Sequence, residues 1–174
     1  MTDRRRFEQI VLPHVDAAYN LARWLTRNDH DAQDVVQEAM LRAYRFFDGL
    51  RGEPRPWLLA IVRNACFSWL RVNRPAEVER LDDNAAPEDD IAGPETLAAR
   101  DLDRRTLNAA LAALPVHFRE VLVLRELEDL SYKEIARIAE VPIGTVMSRL
   151  ARARRLLAES MRVNTATPRL RVQK

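Results

Sequence analysis

Apolar residues recur every three or four positions along most of this 174-residue chain. This spacing lines one face of an α-helix with side chains that need a packing partner, and no stretch shows the alternation typical of a β-strand. The spacing predicts three helices before an acidic, proline-containing segment and four after it, at 14–27, 31–47, 57–71, 95–113, 116–128, 131–139 and 143–160. The sequence therefore predicts an all-α protein.

The acidic segment divides the predicted helices into two groups. It contains three prolines, few large apolar residues and no helical period, which is typical of a disordered linker. The formal net charge alternates along the chain, at +3 over 1–74, −6 over 75–105 and +5 over 106–174. Basic parts on either side of an acidic one are suited to polyanionic partners. We therefore predict two small helical domains joined by a flexible acidic linker and followed by a basic tail, with bounds at 1–74, 75–94, 95–160 and 161–174.

Composition disfavours several classes of protein. The single cysteine, Cys66, can form neither an internal disulfide framework nor a cysteine-based zinc site, and it indicates a reducing compartment. The first residues lack the apolar core of a signal peptide. The sequence also has no run of about 18 consecutive apolar residues, which a membrane-spanning helix would need. Four glycines without a glycine-rich loop argue against a phosphate cradle, and three scattered histidines lack metal-ligand spacing. We therefore expect a cytoplasmic protein that is not inserted in a membrane, binds no metal or cofactor and is not an enzyme.

Residues 132–151 show the pattern of a helix-turn-helix. Ser131 and Glu134 have the spacing of a capping box at its start, and Ala136 is small enough for two helices to cross closely, although Glu140 occupies a turn position where glycine is common. Apolar residues line one side of the second helix, at Val146, Leu150, Ala153 and Leu157. Hydroxyls and arginines, which can read a DNA major groove, are predicted on its opposite side, at Thr145, Ser148, Arg149 and Arg152. The alternative is a solvated basic helix in an ordinary bundle.

A second basic cluster, between 51 and 74, is interleaved with aromatic residues. Five arginines and one glutamate give this stretch a formal charge of +4. Arg63, Phe67 and Arg71 are spaced so that a helix would place the aromatic ring between two cations on one face. Proteins bind single-stranded DNA by stacking bases on rings and holding phosphates with arginine. Core packing is the alternative for the tryptophans, and it is the better explanation of Trp69.

The helix predicted at 31–47 has a polar face beside its apolar stripe. The residues of this face are Asp34, Gln37, Glu38, Arg42 and Arg45. The pattern alone indicates a solvated helix face, because it holds no metal-binding or catalytic geometry.

Residues 31–44 and 56–64 resemble conserved region 2 of bacterial sigma factors, and residues 113–121, 130–136 and 141–154 resemble region 4. The order of the two regions, with no domain between them, is similar to that of the extracytoplasmic-function (ECF) subfamily. The resemblance implies a sigma factor that binds core RNA polymerase and directs promoter-specific initiation, for a stress or envelope response under the control of an anti-sigma factor. A stand-alone helix-turn-helix regulator and a helical adaptor acting through protein contacts alone are the alternatives.

The resemblance also implies roles for individual residues. The polar face of the 31–47 helix would dock on the clamp helices of the largest polymerase subunit, and the acidic linker would run towards the active-site and RNA-exit channels. The loop 48–56 and the helix after it would recognise and melt the minus-ten promoter element through Arg51, Arg55, Trp57, Arg63, Asn64, Phe67 and Arg71. The second helix of the helix-turn-helix would enter the major groove of the minus-thirty-five element with Thr145, Ser148, Arg149, Arg152 and Arg155.

Overall fold

The computed structural model describes residues 2–79 and 99–166, and both ranges consist of helices and their connections. The remainder of the predicted linker and the last residues of the predicted tail, at 80–98 and 167–174, lie outside the described residues. The helices of the N-terminal lobe are α1 Asp3–Ile10, α2 Val15–Thr26, α3 Asp29–Arg45, α4 Pro54–Asn73 and α5 Pro75–Glu79. Those of the C-terminal lobe are α6 Ala99–Ala113, α7 Val116–Leu122, α8 Tyr132–Ala139 and α9 Ile143–Ala166. Neither described range contains a strand, so the predicted all-α fold is confirmed.

Helices α2, α3 and α4 form the bundle of the N-terminal lobe. The side chain of Asn28 caps α3 by accepting a hydrogen bond from the backbone amide of Asp31 at 3.0 Å. Pro54 stands at the start of α4, where a backbone amide would have no partner within the helix. Small and branched side chains such as Ala22 and Val35 are buried where the helices meet. The apolar stripes seen in the sequence are therefore the packed faces of this bundle.

The helix-turn-helix consists of α8, a short turn and α9. The predicted capping box is present, since the Glu134 amide donates to Ser131 Oγ at 3.1 Å and the Ser131 amide donates to Glu134 Oε2 at 2.9 Å. Glu140 ends α8 with a φ of 57°, the left-handed conformation that glycine often supplies at a helix end. Val146 and Leu150 of α9 are buried, as the apolar spacing predicts.

The linker prediction is wrong for its first five residues, which form helix α5. Proline suits the first turn of a helix, and contacts with distant residues then hold this segment in place. Glu77 accepts a hydrogen bond from Arg27 Nη2 at 2.5 Å, and the Val78 carbonyl lies 3.1 Å from Nε2 of His117. Because the two contacts come from different lobes, local composition does not reveal them.

The two lobes pack against each other. Helix α4 lies against α8 and α2 against α7, and one cluster of buried apolar residues runs through both lobes. Arg119 of α7 is buried, and its guanidinium donates to the Leu25 carbonyl of α2 at 3.3 Å and to the Leu114 carbonyl at 2.8 Å. Burial lowers the pKa of Arg119 to about 9. The sequence indicated two domains, but it did not indicate this interface between them.

Candidate functional site

Helix α3 carries one buried and one exposed face. Its buried face packs on α2 and α4. All of the polar residues singled out in the sequence are exposed on the other side, and we call them the α3 surface: Asp34, Gln37, Glu38, Arg42 and Arg45. Within this surface Arg42 Nη2 lies 2.6 Å from Glu38 Oε1, an exposed pair that contributes little to stability.

Three exposed apolar side chains beside the α3 surface were not singled out from the sequence. Leu41, Tyr44 and Phe46 stand out from the end of α3, and Phe46 is 61% exposed. Their exposure could have been predicted from the sequence, because these residues are apolar and fall outside the predicted buried stripe of this helix. Exposed apolar residues grouped with charges are typical of a surface that binds another protein.

The seven residues assigned to the minus-ten element do not share one open face. Arg51, Asn64 and Arg71 are exposed, and Trp57 is half-buried against the core. Arg51 Nη1 donates to the carbonyls of Asp48 and Leu50, each at 3.0 Å, and thereby closes the loop before α4. The remaining three residues, Arg55, Arg63 and Phe67, are covered to different degrees by the C-terminal lobe.

Arg63 and Phe67 form a buried stack on α4. The Arg63 guanidinium carbon lies 3.9 Å from the centre of the Phe67 ring, and Phe67 is 1% exposed. Arg63 Nε donates to Glu120 Oε1 of α7 at 2.5 Å, and the His117 ring lies 5.4 Å from that of Phe67. The expectation of an open aromatic face between two cations is wrong for this arrangement of lobes, because α7 covers the ring.

Arg55 is held by the segment that follows α7. Its Nη2 atom donates to both the backbone carbonyl and Oε2 of Glu128, each at 2.6 Å. Asn20 of α2 donates to the other carboxylate oxygen of Glu128 at 2.8 Å. Glu128 thus joins two helices of the N-terminal lobe to the C-terminal lobe.

The residues assigned to the major groove flank the buried stripe of α9. Ser148 and Arg155 are exposed, whereas Thr145, Arg149 and Arg152 are half-buried. The prediction that Thr145, Ser148, Arg149 and Arg152 lie together on the solvent face is therefore wrong for all but Ser148. At about 100° per residue, Arg149 is close to both Val146 and Leu150, so it borders the packed side of the helix.

Acidic, histidine and cysteine side chains in the described residues do not group into a metal site. The described ranges contain no group of three or more His, Cys, Asp and Glu side chains arranged to hold a metal ion. Cys66 is buried, and this burial raises the pKa of its thiol. No described helix is long and apolar enough to cross a bilayer.

Known families match both lobes. The model for "Sigma-70 region 2" matches residues 10–75, and the model for "Sigma-70, region 4" matches residues 104–157. The helix bundle and the helix-turn-helix, in this order, therefore define a sigma factor of RNA polymerase.

Individual relatives give a more specific identification. The chain is 33% identical to the RNA polymerase sigma-H factor of Pseudomonas aeruginosa over 169 residues, covering 91% of this chain and 88% of that protein. It is 34% identical to the ECF RNA polymerase sigma-E factor of Escherichia coli over 164 residues, covering 87% and 84% respectively. The sigma factor RpoE of Bartonella quintana, solved with the anti-sigma factor NepR, matches with a TM-score of 0.71 and 28% identity, covering 92% of this chain and 99% of that one. The chain belongs to the ECF family of RNA polymerase sigma factors.

Proposed function

We propose that this sigma factor binds core RNA polymerase through the α3 surface and selects promoters through α4 and α9. The observation that carries the proposal is the separation of roles on α3, where one face packs the bundle and the other is free to bind a partner. The partner polymerase supplies the catalysis, so the chain itself is not an enzyme. Its place of action is the cytoplasm, where polymerase meets promoter DNA.

The exposed chemistry of α3 supports docking on a protein. The α3 surface offers carboxylates, an amide and two arginines, and Leu41 and Phe46 add apolar area next to them. An interface of this kind combines apolar contact with charges that set the orientation of the partner. We assign the clamp helices of the largest polymerase subunit to this surface.

The basic residues of α4 are assigned to the minus-ten element. Asn64 and Arg71 are accessible on this helix, and Arg51 is accessible in the loop before it. Arg63 and Phe67 become accessible only when the C-terminal lobe moves away, and Arg55, which is half-buried, would have to exchange Glu128 for DNA. Together these residues would hold phosphates and stack an unpaired base of the melted strand.

The start of α9 is assigned to the minus-thirty-five element. Ser148 is exposed one turn before Arg152, and Arg155 continues the basic side of the helix. Arginine can bind the edge of guanine with two hydrogen bonds or hold a phosphate, while hydroxyls contact either. We assign base contact to Arg152 and phosphate contact to Arg149 and Arg155.

Control by an anti-sigma factor is part of the proposal. The sigma factor of Bartonella quintana with the same overall fold was solved bound to an anti-sigma factor. We propose that a partner of this class holds the present chain inactive until a stress or envelope signal releases it. The acidic linker, most of which lies outside the described residues, is assigned to the basic channels of polymerase.

The central test is transcription in vitro with purified core polymerase and a library of promoters. We expect the chain to bind core polymerase and to direct initiation from one class of promoter. Asp34→Arg and Glu38→Arg place positive charge in the α3 surface and should each abolish binding in a pull-down, because an unmatched interface charge is costly.

Asp16→Arg is the matched control, since it reverses an exposed acidic residue on α2, outside the α3 surface. It should bind core polymerase as the wild type does. Wild-type affinity in both α3 variants would refute the docking assignment, and promoter binding without any need for core polymerase would favour a stand-alone regulator.

A further inference from the structure

The C-terminal lobe carries an apolar groove that the proposed polymerase and promoter contacts do not use. The groove lies between α6, the end of α7 with the π-helical turn Val123–Leu127, and α9, and its volume is about 340 Å³. A cavity of about 150 Å³ holds one benzene-sized group, so this one has room for about two apolar side chains. The apolar residues that line it are Leu107, Leu111, Leu122, Val123, Leu127 and Leu157.

Two leucines at the rim of the groove are open to solvent. Leu107 of α6 is 38% exposed, and Leu127 of the π-helical turn is 49% exposed. Exposed apolar side chains gathered around a concave site are typical of a place where another apolar group binds. The groove therefore calls for an apolar occupant.

A charged pair borders the groove. Arg154 of α9 donates to Glu126 through Nε at 3.1 Å and through Nη2 at 2.7 Å, and both bonds reach Oε1. The Glu126 side chain is 52% exposed, and a carboxylate accepts hydrogen bonds at both of its oxygens. Glu126 can therefore receive a second cation at the rim.

The residues that follow α9 have a complementary pattern. Residues 167–174, which we call the tail segment, carry two arginines, one lysine and a formal charge of +3. In an extended chain successive side chains point to opposite sides, so Leu170 and Val172 would share one side. Arg169 and Arg171 would lie on the other side. An apolar side next to a basic one suits an apolar groove with a carboxylate at its rim.

Charge separates the tail segment from the other part of the chain that could fill the groove. Residues 80–98 contain six acidic residues and one arginine, a formal charge of −5. Glu126 would repel that segment and attract the tail segment.

The tail segment is also long enough to reach the groove. Leu157 lines the groove and α9 runs to Ala166, nine residues further on, which is about 13.5 Å along the helix axis. Pro168 cannot continue a regular helix, and an extended chain returns about 13 Å in four residues. Leu170 is the fourth residue after Ala166. A chain that turns back there would therefore bring Leu170 level with Leu157.

We propose that the tail segment turns back along α9 and docks in the groove, with Leu170 and Val172 against its leucines and a tail arginine paired with Glu126. This contact covers Leu107 and Leu127 within the chain itself. A protein that binds the same groove must then displace the tail segment first. The proposal goes beyond the promoter and polymerase assignments and does not depend on them, because every residue in it belongs to the C-terminal lobe or to the tail segment.

The test compares two charge-matched variants of the full chain. Leu170→Asp places a carboxylate on the apolar side of the tail segment. Gln173→Asp makes the same change of charge on the basic side and keeps both apolar residues. A nitroxide label on Lys174→Cys reports where the tail segment lies, since it broadens the methyl signals of nearby leucines in nuclear magnetic resonance spectra. The native Cys66 is buried and stays unlabelled.

We expect the label to broaden the methyl signals of Leu107 and Leu127 in the wild-type tail and in Gln173→Asp. Leu170→Asp should lower the docking equilibrium constant by about tenfold, because full burial of a leucine contributes at least that factor. The broadening should fall with it. Spectra recorded after reduction of the label show whether each variant is folded.

The role of Glu126 is tested with Glu126→Gln, which keeps the size of the side chain. At low ionic strength this variant should show weaker broadening at Leu107 than the wild type. The difference should disappear at about 1 M salt, where exposed charges are screened.

Equal broadening in Leu170→Asp and Gln173→Asp, or none in the wild type, would overturn the proposal. Broadening that increases with protein concentration would place the tail segment on a second copy of the chain and would overturn the intramolecular contact. A tail segment that binds DNA instead would leave the groove signals sharp in the free chain. In that case Arg171→Ala would make the salt dependence of binding to duplex DNA shallower by about one ion, and the proposal would be wrong.

Discussion

Replacing Phe67 by alanine separates the two roles that its ring can have. The ring is 1% exposed, and removing a buried phenylalanine side chain costs about 3–5 kcal/mol of unfolding free energy. The Arg63 guanidinium stacks on the ring at 3.9 Å, and a desolvated cation–π contact contributes about 2 kcal/mol. Because this contact is partly included in the first figure, we expect a loss near the upper end of that range, about 5 kcal/mol.

The loss is measured by urea unfolding of the free chain, followed by circular dichroism and by a thermal scan. For a chain of this size about 5 kcal/mol corresponds to a decrease of about 10–20 °C in Tm. Phe46→Ala is the matched control, since Phe46 is 61% exposed and its removal should change the free energy of unfolding by about 0.5 kcal/mol or less. If Phe67→Ala unfolds at the same midpoint as Phe46→Ala, the ring is exposed in solution and the packing described above is refuted.

Three further predictions concern the turn, the recognition helix and pH. Glu140→Gly should raise the free energy of unfolding by about 0.5–1 kcal/mol, because glycine adopts a φ of 57° without the steric cost borne by other residues; lower stability in urea would contradict this. Arg152→Ala should weaken promoter binding by about 1–3 kcal/mol and relax the base preference at one upstream position. Arg149→Ala should weaken binding to all DNA sequences alike and make the dependence of affinity on salt concentration shallower by about one ion. Burial lowers the pKa of His117, so the stability that the neutral ring contributes is complete above about pH 6.5 and is lost as pH falls through the lowered value. When pH is lowered from 8 to 5.5, the free energy of unfolding of His117→Gln, measured in urea, should therefore decrease less than that of the wild type.

Local sequence was sufficient for most of the helices and for the helix-turn-helix. The spacing of apolar residues depends only on the helical period, and the capping box at Ser131 depends on residues three positions apart. The preference for glycine in the turn of a helix-turn-helix is too strict a rule here, since Glu140 adopts the left-handed backbone conformation in place of glycine and the turn still forms. Helix α5 shows the opposite case, because its contacts with Arg27 and His117 are tertiary.

The sequence also predicted that the α3 surface is a polar, exposed helix face, but it did not indicate the function of that face. The spacing of Asp34 and Glu38 indicates solvent exposure and nothing about a partner. Only the resemblance to a family assigned a docking role to it. The exposed Leu41 and Phe46 support that role, and they became evident when the buried face of α3 was established.

By itself, the sequence determined the helical class, the division into two basic lobes, and the regions that place the chain among ECF sigma factors. Each of these depends on the types and order of residues along the chain and not on contacts between distant residues. The tertiary structure alone decided which side chains of α4 are accessible, because that depends on contacts between Arg63 and Glu120, 57 residues apart, and between Arg55 and Glu128, 73 residues apart. A basic and aromatic helix face has the same local pattern whether it meets DNA or a buried carboxylate, and only the position of the second lobe distinguishes the two.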